Sequence, residues 1–466
     1  MNRLRLADQW PTLVVATVAS AFGAMLLQVT GLLGAAIRSD DAAASSATAA
    51  LILAITAWVF IVIAVYVGAI VTSNTVATVI AGRTRTIALL RLVGASAGSQ
   101  RAAIAREGLV VGSVGAIVGV LVGSVAAWGM GLWAVQADVI PETTYDWVNP
   151  WVAPPAVVVA LTTWLAAWVG SRRVLAVRPA EALGGANESS SDELRARRGR
   201  NVAAVTLTVA GLALLALGVL AGLVTPLGVL VGLIGGVLSF TGIVLGAHLV
   251  MPPVLRTVGR LLGRSPSARL AAENAVRHPE RSSRMTIGLV IGVTLVTMFA
   301  VAMESYRVLL LEAVADKPEL MAGIEAMVDA TVAVFSVLIG FSALIAAIGL
   351  VNTLSLSVLQ RTRELGLLRA LGFERRQVRT MVVAEAAALT AAATMVGVVL
   401  GVGYGWAGAQ SMLGSVSGEP MLIAPVMPWP VLGLVVVAAV VLTIVASLAP
   451  ARRAARVSPV EALAVG

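Results

Sequence analysis

The chain has 466 residues, of which 59% are hydrophobic and 12% charged, with a mean hydropathy of +0.94. A chain of this length with so few charged side chains cannot cover a soluble globule with polar surface, so soluble enzymes and soluble binding domains are excluded. Its net charge of +9 is not accompanied by an aromatic-interleaved basic groove, which argues against nucleic acid as a partner, and the lack of cysteine excludes disulfides and thiolate chemistry.

Ten apolar runs are long enough to cross about 30 Å of hydrocarbon as helices. They lie at 11–37, 50–81, 108–136, 152–170, 202–223, 227–251, 286–310, 330–358, 386–413 and 430–449. The expected fold class is therefore an all-α polytopic membrane protein, with spans grouped as four, two and four.

Basic residues lie almost entirely on one side of these spans. Of the 33 Lys and Arg residues, only Arg38, Arg307 and Lys317 fall on the other side. Because Lys and Arg concentrate in cytoplasmic loops, we expect a multi-pass protein of the cell (plasma) membrane with both termini in the cytoplasm.

The first four spans and the last four are related copies. The segment RTRTIALLRLVGASAGSQRAAIARE at 83–107 returns 278 positions later, without a gap, as RTRELGLLRALGFERRQVRTMVVAE at 361–385. Further pairs share this offset, namely Asn74 with Asn352, Gly119 with Gly397, Gly123 with Gly401 and Trp128 with Trp406. Shared Asn, Trp and Arg positions are rare enough in an Ala- and Val-rich chain to indicate internal duplication.

The duplication divides the chain into five parts. They are a first four-helix repeat at 1–183, a flexible cytoplasmic linker at 184–201, two connecting spans at 202–251, a cytoplasmic amphipathic segment at 252–285 and a second four-helix repeat at 286–466. The linker is polar and has no apolar period. Pro252 and Pro253 are expected to end the sixth span, and apolar residues at helical spacing among the arginines of 256–284 predict a helix in the membrane interface.

Small and polar residues inside the spans are expected to serve packing. The two Gly-x-x-x-Gly pairs allow helices to approach closely. His248 is expected to be buried and hydrogen-bonded rather than a ligand, and Trp128 and Trp406 fit an aromatic belt at the membrane surface. Asn74 and Asn352 are candidates for packing between the repeats, although such an Asn more often makes an ordinary interhelical contact.

Each copy of the repeated segment forms a cytoplasmic loop between the second and third spans of its unit. In the second copy Leu367 and Leu368 belong to an apolar flank, and Gly372 is placed to end a helix. Phe373 and Arg375 then lie at the bend of a helix-break-helix hairpin. Arginines in such a loop often only set the topology or contact lipid phosphate, but lipid contact does not require the same spacing to persist in both copies.

At these residues the chain resembles the FtsX/MacB-like ABC transporter permeases, in which an R-x-R-E-x-G-x-x-R-A-x-G segment docks onto the ATPase subunit. The second copy matches that pattern at Arg361, Arg363, Glu364, Gly366, Arg369, Ala370 and Gly372. The ending PARRAARVSPVEAL at 450–463 also resembles the family's C-terminal signature. The resemblance covers both four-span units.

The resemblance implies which residues couple the chain to an ATPase. They are Arg361, Arg363, Glu364, Leu367, Leu368, Arg369, Gly372, Phe373 and Arg375 in the second hairpin, and Arg83, Arg85, Leu89, Leu90, Arg91 and Gly94 in the first. The first copy departs from the pattern, because Thr86 replaces the Glu and the sequence Ala-Ser-Ala-Gly at 95–98 replaces Phe-Glu-Arg-Arg at 373–376. The second hairpin is therefore expected to carry more of the coupling.

The function implied by the resemblance is that of the permease subunit of an ATP-driven transporter. One copy of the chain would work with two ABC ATPase subunits and membrane lipid to export or extract an amphiphilic, lipid-like or peptide substrate. The chain has no P-loop pattern and no cluster with metal-ligand spacing, so no catalytic, cofactor-binding or metal residue is expected in it. The ATP and its magnesium would then bind to the partner ATPase.

Two alternatives remain open from the sequence. One is an FtsX-like mechanotransducer that signals to an extracellular partner without moving a substrate, although the loops at 38–49 and 304–329 are too short for a large extracellular domain. The other is a transporter driven by an ion gradient. Such a protein ordinarily needs buried carboxylates, and no Asp or Glu lies well inside a predicted span.

Overall fold

The structure is a computed structural model that describes residues 3–38, 47–82, 96–136, 153–176, 198–261, 279–313, 372–415 and 419–456, together with positions 89, 340, 343, 344 and 347. The regular secondary structure of these residues is entirely helical. The helices are α1 (Arg3–Arg38), α2 (Ala47–Gly82), α3 (Ala97–Gln136), α4 (Ala153–Ala176), α5 (Arg198–Gly222), α6 (Gly228–Leu245), α7 (Ala247–Leu261), α8 (Pro279–Ala313), α9 (Arg375–Leu413) and α10 (Trp429–Arg456).

Seven helices of the described part of the chain are long and apolar enough to cross a membrane, namely α1, α3, α4, α5, α6, α8 and α9. The apolar stretches of α2 and α10 are shorter, at Ile61–Ala77 and Trp429–Val441. The predicted span at 330–358 lies outside the described residues except for four helical positions. Because exposed Val and Leu side chains cover the outer faces of α3, α5 and α10, these helices face hydrocarbon, and the chain is a multi-pass membrane protein.

Helices α1 and α8 occupy the centre of the bundle. In their most apolar stretches 78% and 89% of the residues are buried, against 17% in α5. Phe22 of α1 and Ile291 and Phe299 of α8 belong to one cluster of buried side chains, which also includes Val71 of α2. The first helix of each predicted repeat therefore contributes to a shared core.

Glycines let α3 and α9 touch these central helices. A Cβ atom on Gly119 would lie 2.4 Å from the carbonyl oxygen of Thr17 on α1, and one on Gly401 would lie 2.5 Å from the Cβ of Thr297 on α8. Real Cβ atoms do not approach so closely, so only glycine fits at either position. The prediction that the Gly-x-x-x-Gly pairs serve helix packing is confirmed.

The two connecting helices form a hairpin that packs against the second repeat. A Cβ atom on Gly218 of α5 would lie 2.4 Å from the backbone nitrogen of Gly232 on α6, so the two backbones are in contact. At the turn of the hairpin, a Cβ on Gly222 would lie 2.5 Å from the Cα of Ser411 on α9. The hairpin is thus attached closely to α9.

The sixth span ends earlier than the sequence suggested. Helix α6 ends at Leu245, and α7 begins two residues later and continues through Pro252 and Pro253. The prediction that these prolines end the span is therefore wrong. The prolines remove two backbone hydrogen bonds, but the completely buried Leu255 on the next turn packs against α8 and α9 and holds the helix together.

Helix α7 covers the start of the predicted amphipathic segment at 252–285, and the end of that segment, from Pro279 on, belongs to α8. It buries Met251, Leu255 and Val258 and leaves Arg256 and Arg260 exposed. Helix α7 is therefore amphipathic, but the residues at 270–275 that predicted an interface helix lie outside the described residues, so that helix stays a prediction.

His248, at the start of α7, is buried as predicted. Its Nε2 atom lies 2.9 Å from the Oδ1 atom of Asn201 on α5. This hydrogen bond joins the first turns of the two helices and satisfies the imidazole, which confirms the prediction of a packed histidine.

Candidate functional site

The bend of the second predicted hairpin is an exposed turn that precedes α9. Gly372 has a φ angle of +96°, a backbone conformation that residues with a Cβ rarely adopt. Nothing lies within 4 Å of a Cβ atom added there, so the backbone angle alone selects glycine. The positive φ agrees with the predicted helix-ending position, while the helix expected before Gly372 lies outside the described residues.

The first turn of α9 is held by local hydrogen bonds although it faces solvent. Glu374 is extended, and its backbone N–H donates to the Oε1 atom of Gln377 at 2.8 Å. The Val378 N–H donates to the carbonyl of Glu374 at 3.1 Å, and the Thr380 hydroxyl donates to the carbonyl of Arg376 at 2.9 Å. Because the free donors at a helix start are costly, these bonds fix where α9 begins.

The side chain of Phe373 packs this turn against α9. Its half-buried ring packs against Val378, Met381 and Val382, which are buried on α9 itself. The polar side chains around it stay exposed, namely Glu374, Arg376, Gln377, Arg379 and Thr380. The result is a charged surface supported by the packed ring of Phe373, and we call it the second coupling turn (residues 372–380).

The first repeat has a turn at the equivalent place. Helix α3 begins at Ala97 and α9 at Arg375, which are 278 positions apart like the repeated segments. Ser96 takes the place of Glu374, and its Oγ atom accepts a hydrogen bond from the N–H of Ser99 at 3.2 Å. The Ser99 hydroxyl donates to the Ser96 carbonyl at 2.9 Å. Both helices therefore start at the same position of the repeat, with different capping groups.

The two turns differ in charge and in the use of one arginine. The guanidinium carbon of Arg101 on α3 lies 3.9 Å from the centre of the Trp168 ring on α4, a cation–π contact. Its counterpart Arg379 is exposed. At the surface Gly98 and Ser99 stand where the second turn has Arg376 and Gln377. The first coupling turn (residues 96–101) thus offers less charge to a partner.

Most of the other predicted coupling residues cannot be placed. Those outside the described residues are Arg361, Arg363, Glu364, Leu367, Leu368 and Arg369 in the second hairpin and Arg83, Arg85, Leu90, Arg91 and Gly94 in the first. Leu89 is helical and exposed, and Arg375 is the first residue of α9. Asn74 is half-buried on α2, and because Asn352 is not described, a contact between the two Asn residues stays a prediction.

Helix α9 connects the second coupling turn to the opposite end of the bundle. It has 39 residues without a break, which corresponds to about 58 Å. At its far end the buried Gln410 side chain donates to the carbonyl of Met421 at 2.8 Å and accepts from the Ile423 N–H at 2.7 Å. The Trp406 indole donates to the carbonyl of Ile423 at 2.8 Å. Trp406 therefore anchors a segment of chain, a role that the predicted aromatic belt did not include.

Sequence reasoning also missed an aromatic bridge between the repeats. The ring of Phe240 on α6 makes edge contacts with Tyr66 of α2 and Tyr404 of α9, with ring centres 6.4 and 6.1 Å apart. The hydroxyl of Tyr66 lies 2.8 Å from that of Thr241, and the hydroxyl of Tyr404 lies 2.9 Å from that of Ser239. The only available signal was that the chain has just 4 tyrosines and that three of them, Tyr66, Tyr306 and Tyr404, lie inside predicted spans.

Comparison with known proteins identifies the repeated unit. A family model described as the FtsX-like permease C-terminal domain matches the chain twice, at 58–179 and at 336–459. The two matches begin 278 positions apart, which is the offset of the sequence repeat, and together they cover more than half of the chain.

Named relatives point to the same kind of protein. The chain is 31% identical over 160 residues to the uncharacterized ABC transporter permease YknZ of Bacillus subtilis, an alignment that covers 34% of this chain and 36% of that protein. It is 35% identical over 148 residues to the macrolide export ATP-binding/permease protein MacB of Hyphomonas neptunium, covering 31% of this chain and 21% of that protein. The MacB protein of Bdellovibrio bacteriovorus is 28% identical over 153 residues, with 31% and 21% covered.

The chain thus aligns with well under half of the length of these relatives. The family itself is shown by the double match and by the two long helices that start in the same register of the repeat. The chain belongs to the FtsX-like permease family of ABC transporter permeases.

Proposed function

We propose that the chain is the membrane subunit of an ATP-driven transporter, in which a separate ABC ATPase acts on the two coupling turns. The observation that carries this proposal is the pair of capped turns at the equivalent starts of α3 and α9, each leading into a helix long enough to cross the bilayer. Family membership supports an ABC ATPase as the partner.

The proposed architecture has four, two and four membrane-spanning helices. The first repeat is 1–183, the linker 184–201, the connecting pair 202–251, the amphipathic segment 252–285 and the second repeat 286–466, with both termini in the cytoplasm. Since one chain carries two hairpins, two copies of the ATPase bind one chain. They hold the ATP and its magnesium, and the chain acts as a permease rather than as an enzyme.

The stroke passes from the coupling turns into the bundle along α3 and α9. A rigid α9 transmits a displacement of residues 372–380 to Gln410, because the helix has no break between them. The close contacts of Gly119 with α1 and of Gly401 with α8 carry the displacement to the two central helices. Their shared cluster then changes its packing, which alters the far side of the bundle.

The two hairpins contribute unequally. In the second coupling turn Arg376 and Arg379 are exposed, and the packed ring of Phe373 supports them. The first turn presents small residues and uses Arg101 for a contact with Trp168. Arginine pairs well with carboxylates on a partner protein, so the second turn binds its ATPase more tightly. We expect the predicted coupling residues to extend this surface, namely Arg361, Arg363, Glu364, Leu367, Leu368 and Arg369.

The substrate is proposed to be amphiphilic, such as a lipid-like molecule or a hydrophobic peptide, and to be exported or extracted from the membrane. Two relatives carry the name of a macrolide export protein, which fits this class. The alternative is an FtsX-like mechanotransducer, whose ATPase stroke reaches an extracellular partner and moves no substrate. The segment 421–428, held by Gln410 and Trp406, would be a fixed surface for such a partner.

The test uses the chain together with the ABC ATPase that copurifies with it. We expect the double variant Phe373→Ala, Arg375→Ala to remove most of the stimulation of ATP hydrolysis by the chain in lipid nanodiscs. Arg307→Ala is the matched control. This exposed arginine lies near the C-terminal end of α8 and belongs to neither coupling turn. Unchanged stimulation in the double variant, or full transport by vesicles that contain the chain alone, would contradict the proposal.

Retention of ATPase stimulation without any movement of amphiphiles would favour the mechanotransducer. Flux of a fluorescent amphiphile in vesicles that contain the chain and its ATPase separates the two functions.

A further inference from the structure

A cavity of about 130 Å³ lies between the two repeats and the connecting hairpin. Its walls come from α2, α5, α6, α8 and α9 and are almost entirely apolar. Characteristic wall residues are Val59 and Ile63 of α2, Val237 of α6 and Leu295 and Met298 of α8. The cavity is therefore built from both repeats at once.

Most of the polar groups at the wall are already paired within the protein, and the exception is the Thr294 hydroxyl of α8, which is buried and has no hydrogen-bond partner among the described residues. The Tyr66 hydroxyl lies 2.8 Å from Thr241, and the Tyr404 hydroxyl lies 2.9 Å from Ser239. No charged side chain lines the cavity among the described residues. An apolar cavity of about 150 Å³ engineered into another protein stays dry and binds small hydrocarbons, so this one is also expected to exclude water.

The surroundings of the cavity are hydrocarbon rather than water. All five wall helices carry apolar stretches, and those of α5, α6, α8 and α9 are long enough to cross the membrane. Val59, Ile63 and Leu233 in the wall keep partial exposure, as do wall residues of α5, α8 and α9, so the cavity is not fully enclosed by protein. A lipid tail can therefore enter it from the membrane.

We propose that this cavity binds a single hydrocarbon chain, which belongs to a bilayer phospholipid or to another amphiphile. An empty cavity forfeits the dispersion contacts of its walls, and an alkyl chain restores them without needing a hydrogen bond. The bound chain contacts α2 of the first repeat and α8 and α9 of the second, so it responds to their relative position. The proposal depends on the membrane location of these helices and not on the ATPase.

Two glycines in the wall give direct tests. Gly236 of α6 and Gly408 of α9 line the cavity, and nothing lies within 4 Å of a Cβ atom added to either. Gly236→Leu and Gly408→Leu therefore place a side chain into the cavity without a backbone collision, and leucine favours the helix over glycine. Gly403→Leu is the matched control, because Gly403 is on α9, is exposed, has the same free space and is not part of the wall.

The probe is a phospholipid with a diazirine at the end of one acyl chain, activated by light in nanodiscs. We expect labelling of the α6 wall residues Val229, Leu233 and Val237 to fall at least fivefold in each filled variant and to remain in Gly403→Leu. A second arm uses a single-chain alkylphosphocholine with the same diazirine. Labelling by both probes or by the phospholipid alone identifies a bilayer lipid, and labelling by the alkylphosphocholine alone identifies a smaller amphiphile.

Equal labelling of these wall residues in the filled variants would overturn the proposal, and so would failure of both probes to label the wild-type wall. If neither filled variant folds, the label map of the wild-type chain decides. Label on wall residues such as Val237 and Met298 supports the site, while label only on the lipid-facing sides of α3, α5 and α10 contradicts it.

Discussion

The third helices of the two repeats, α3 and α9, have equivalent start positions and packing glycines but different side chains at their ends. They begin 278 positions apart and carry equivalent glycines that contact α1 and α8. At one end, Gly98 and Ser99 of α3 stand where α9 exposes Arg376 and Gln377. At the other end, Leu132 stands where α9 has the buried Gln410. The duplicated chain has therefore kept the packing that both halves need, while its exposed ends have diverged.

The shared packing is the part of this comparison with the largest expected effect. Gly123→Leu and Gly401→Leu each force a side chain against a neighbouring helix, at the carbonyl of Ala21 and at Thr297. We expect both to lower the stability by about 3 kcal/mol or more, measured as thermal unfolding in detergent. Gly129→Leu on α3, where a Cβ meets nothing within 4 Å, should leave it unchanged. A large loss in only one repeat would show that the halves pack differently.

The far ends of α3 and α9 should differ clearly. Gln410→Ala removes two hydrogen bonds and leaves the half-buried carbonyl of Met421 and N–H of Ile423 unpaired, which costs about 2 kcal/mol. Leu132→Ala, at the equivalent and exposed position, should change the stability by less than about 0.5 kcal/mol. Thermal unfolding and proteolysis of the segment 421–428 measure the difference. Equal sensitivity of the two variants would contradict the contrast.

The two hairpins are compared by one substitution made at equivalent positions. Leu368→Ala should lower the ATPase stimulation about tenfold, and Leu90→Ala about twofold, because the second turn adds exposed arginines to the apolar contact. The measurement is ATP hydrolysis by the copurified ATPase at saturating ATP. A larger effect of Leu90→Ala would show that the more divergent copy carries the coupling.

The smallest expected effect concerns the capping groups. Ser96→Ala removes the side-chain acceptor of the Ser99 N–H, and Gln377→Ala removes the acceptor of the Glu374 N–H. Each should cost about 1 kcal/mol, confined to the first turn of its helix. Hydrogen exchange of the first turns of α3 and α9 detects this loss. Faster exchange throughout either helix would show that the caps matter to more than the turn.

Properties set by local sequence were predictable. Helix length and hydropathy place the spans, because a stretch of about 20 apolar residues has few other structures available in a membrane. The spacing of the glycine pairs predicted close helix contacts, and the placement of Gly372 at the end of a predicted helix agrees with its positive φ. The family resemblance rested on the Arg-rich pattern at 361–372, and the family match supports it.

Properties set by contacts between distant segments were not predictable. Pro252 and Pro253 read as a stop signal, but the packing of Leu255 against α8 and α9 outweighs it. The bridge of Tyr66, Phe240 and Tyr404 joins residues up to 338 positions apart, and no local pattern indicates that pairing. The role of Gln410 depends on where the segment 421–423 returns to α9, which a single sequence does not reveal.

The attachment of the connecting hairpin to α9 fixes a direction in the molecule. Because the hairpin turn at Gly222 touches the backbone of Ser411, the hairpin is fixed beside α9 and does not occupy the equivalent position beside α3. In a dimer of two separate identical subunits, either subunit could take either role in successive transport cycles. In this fused chain the halves keep permanent, distinct identities, so each can evolve toward its own task.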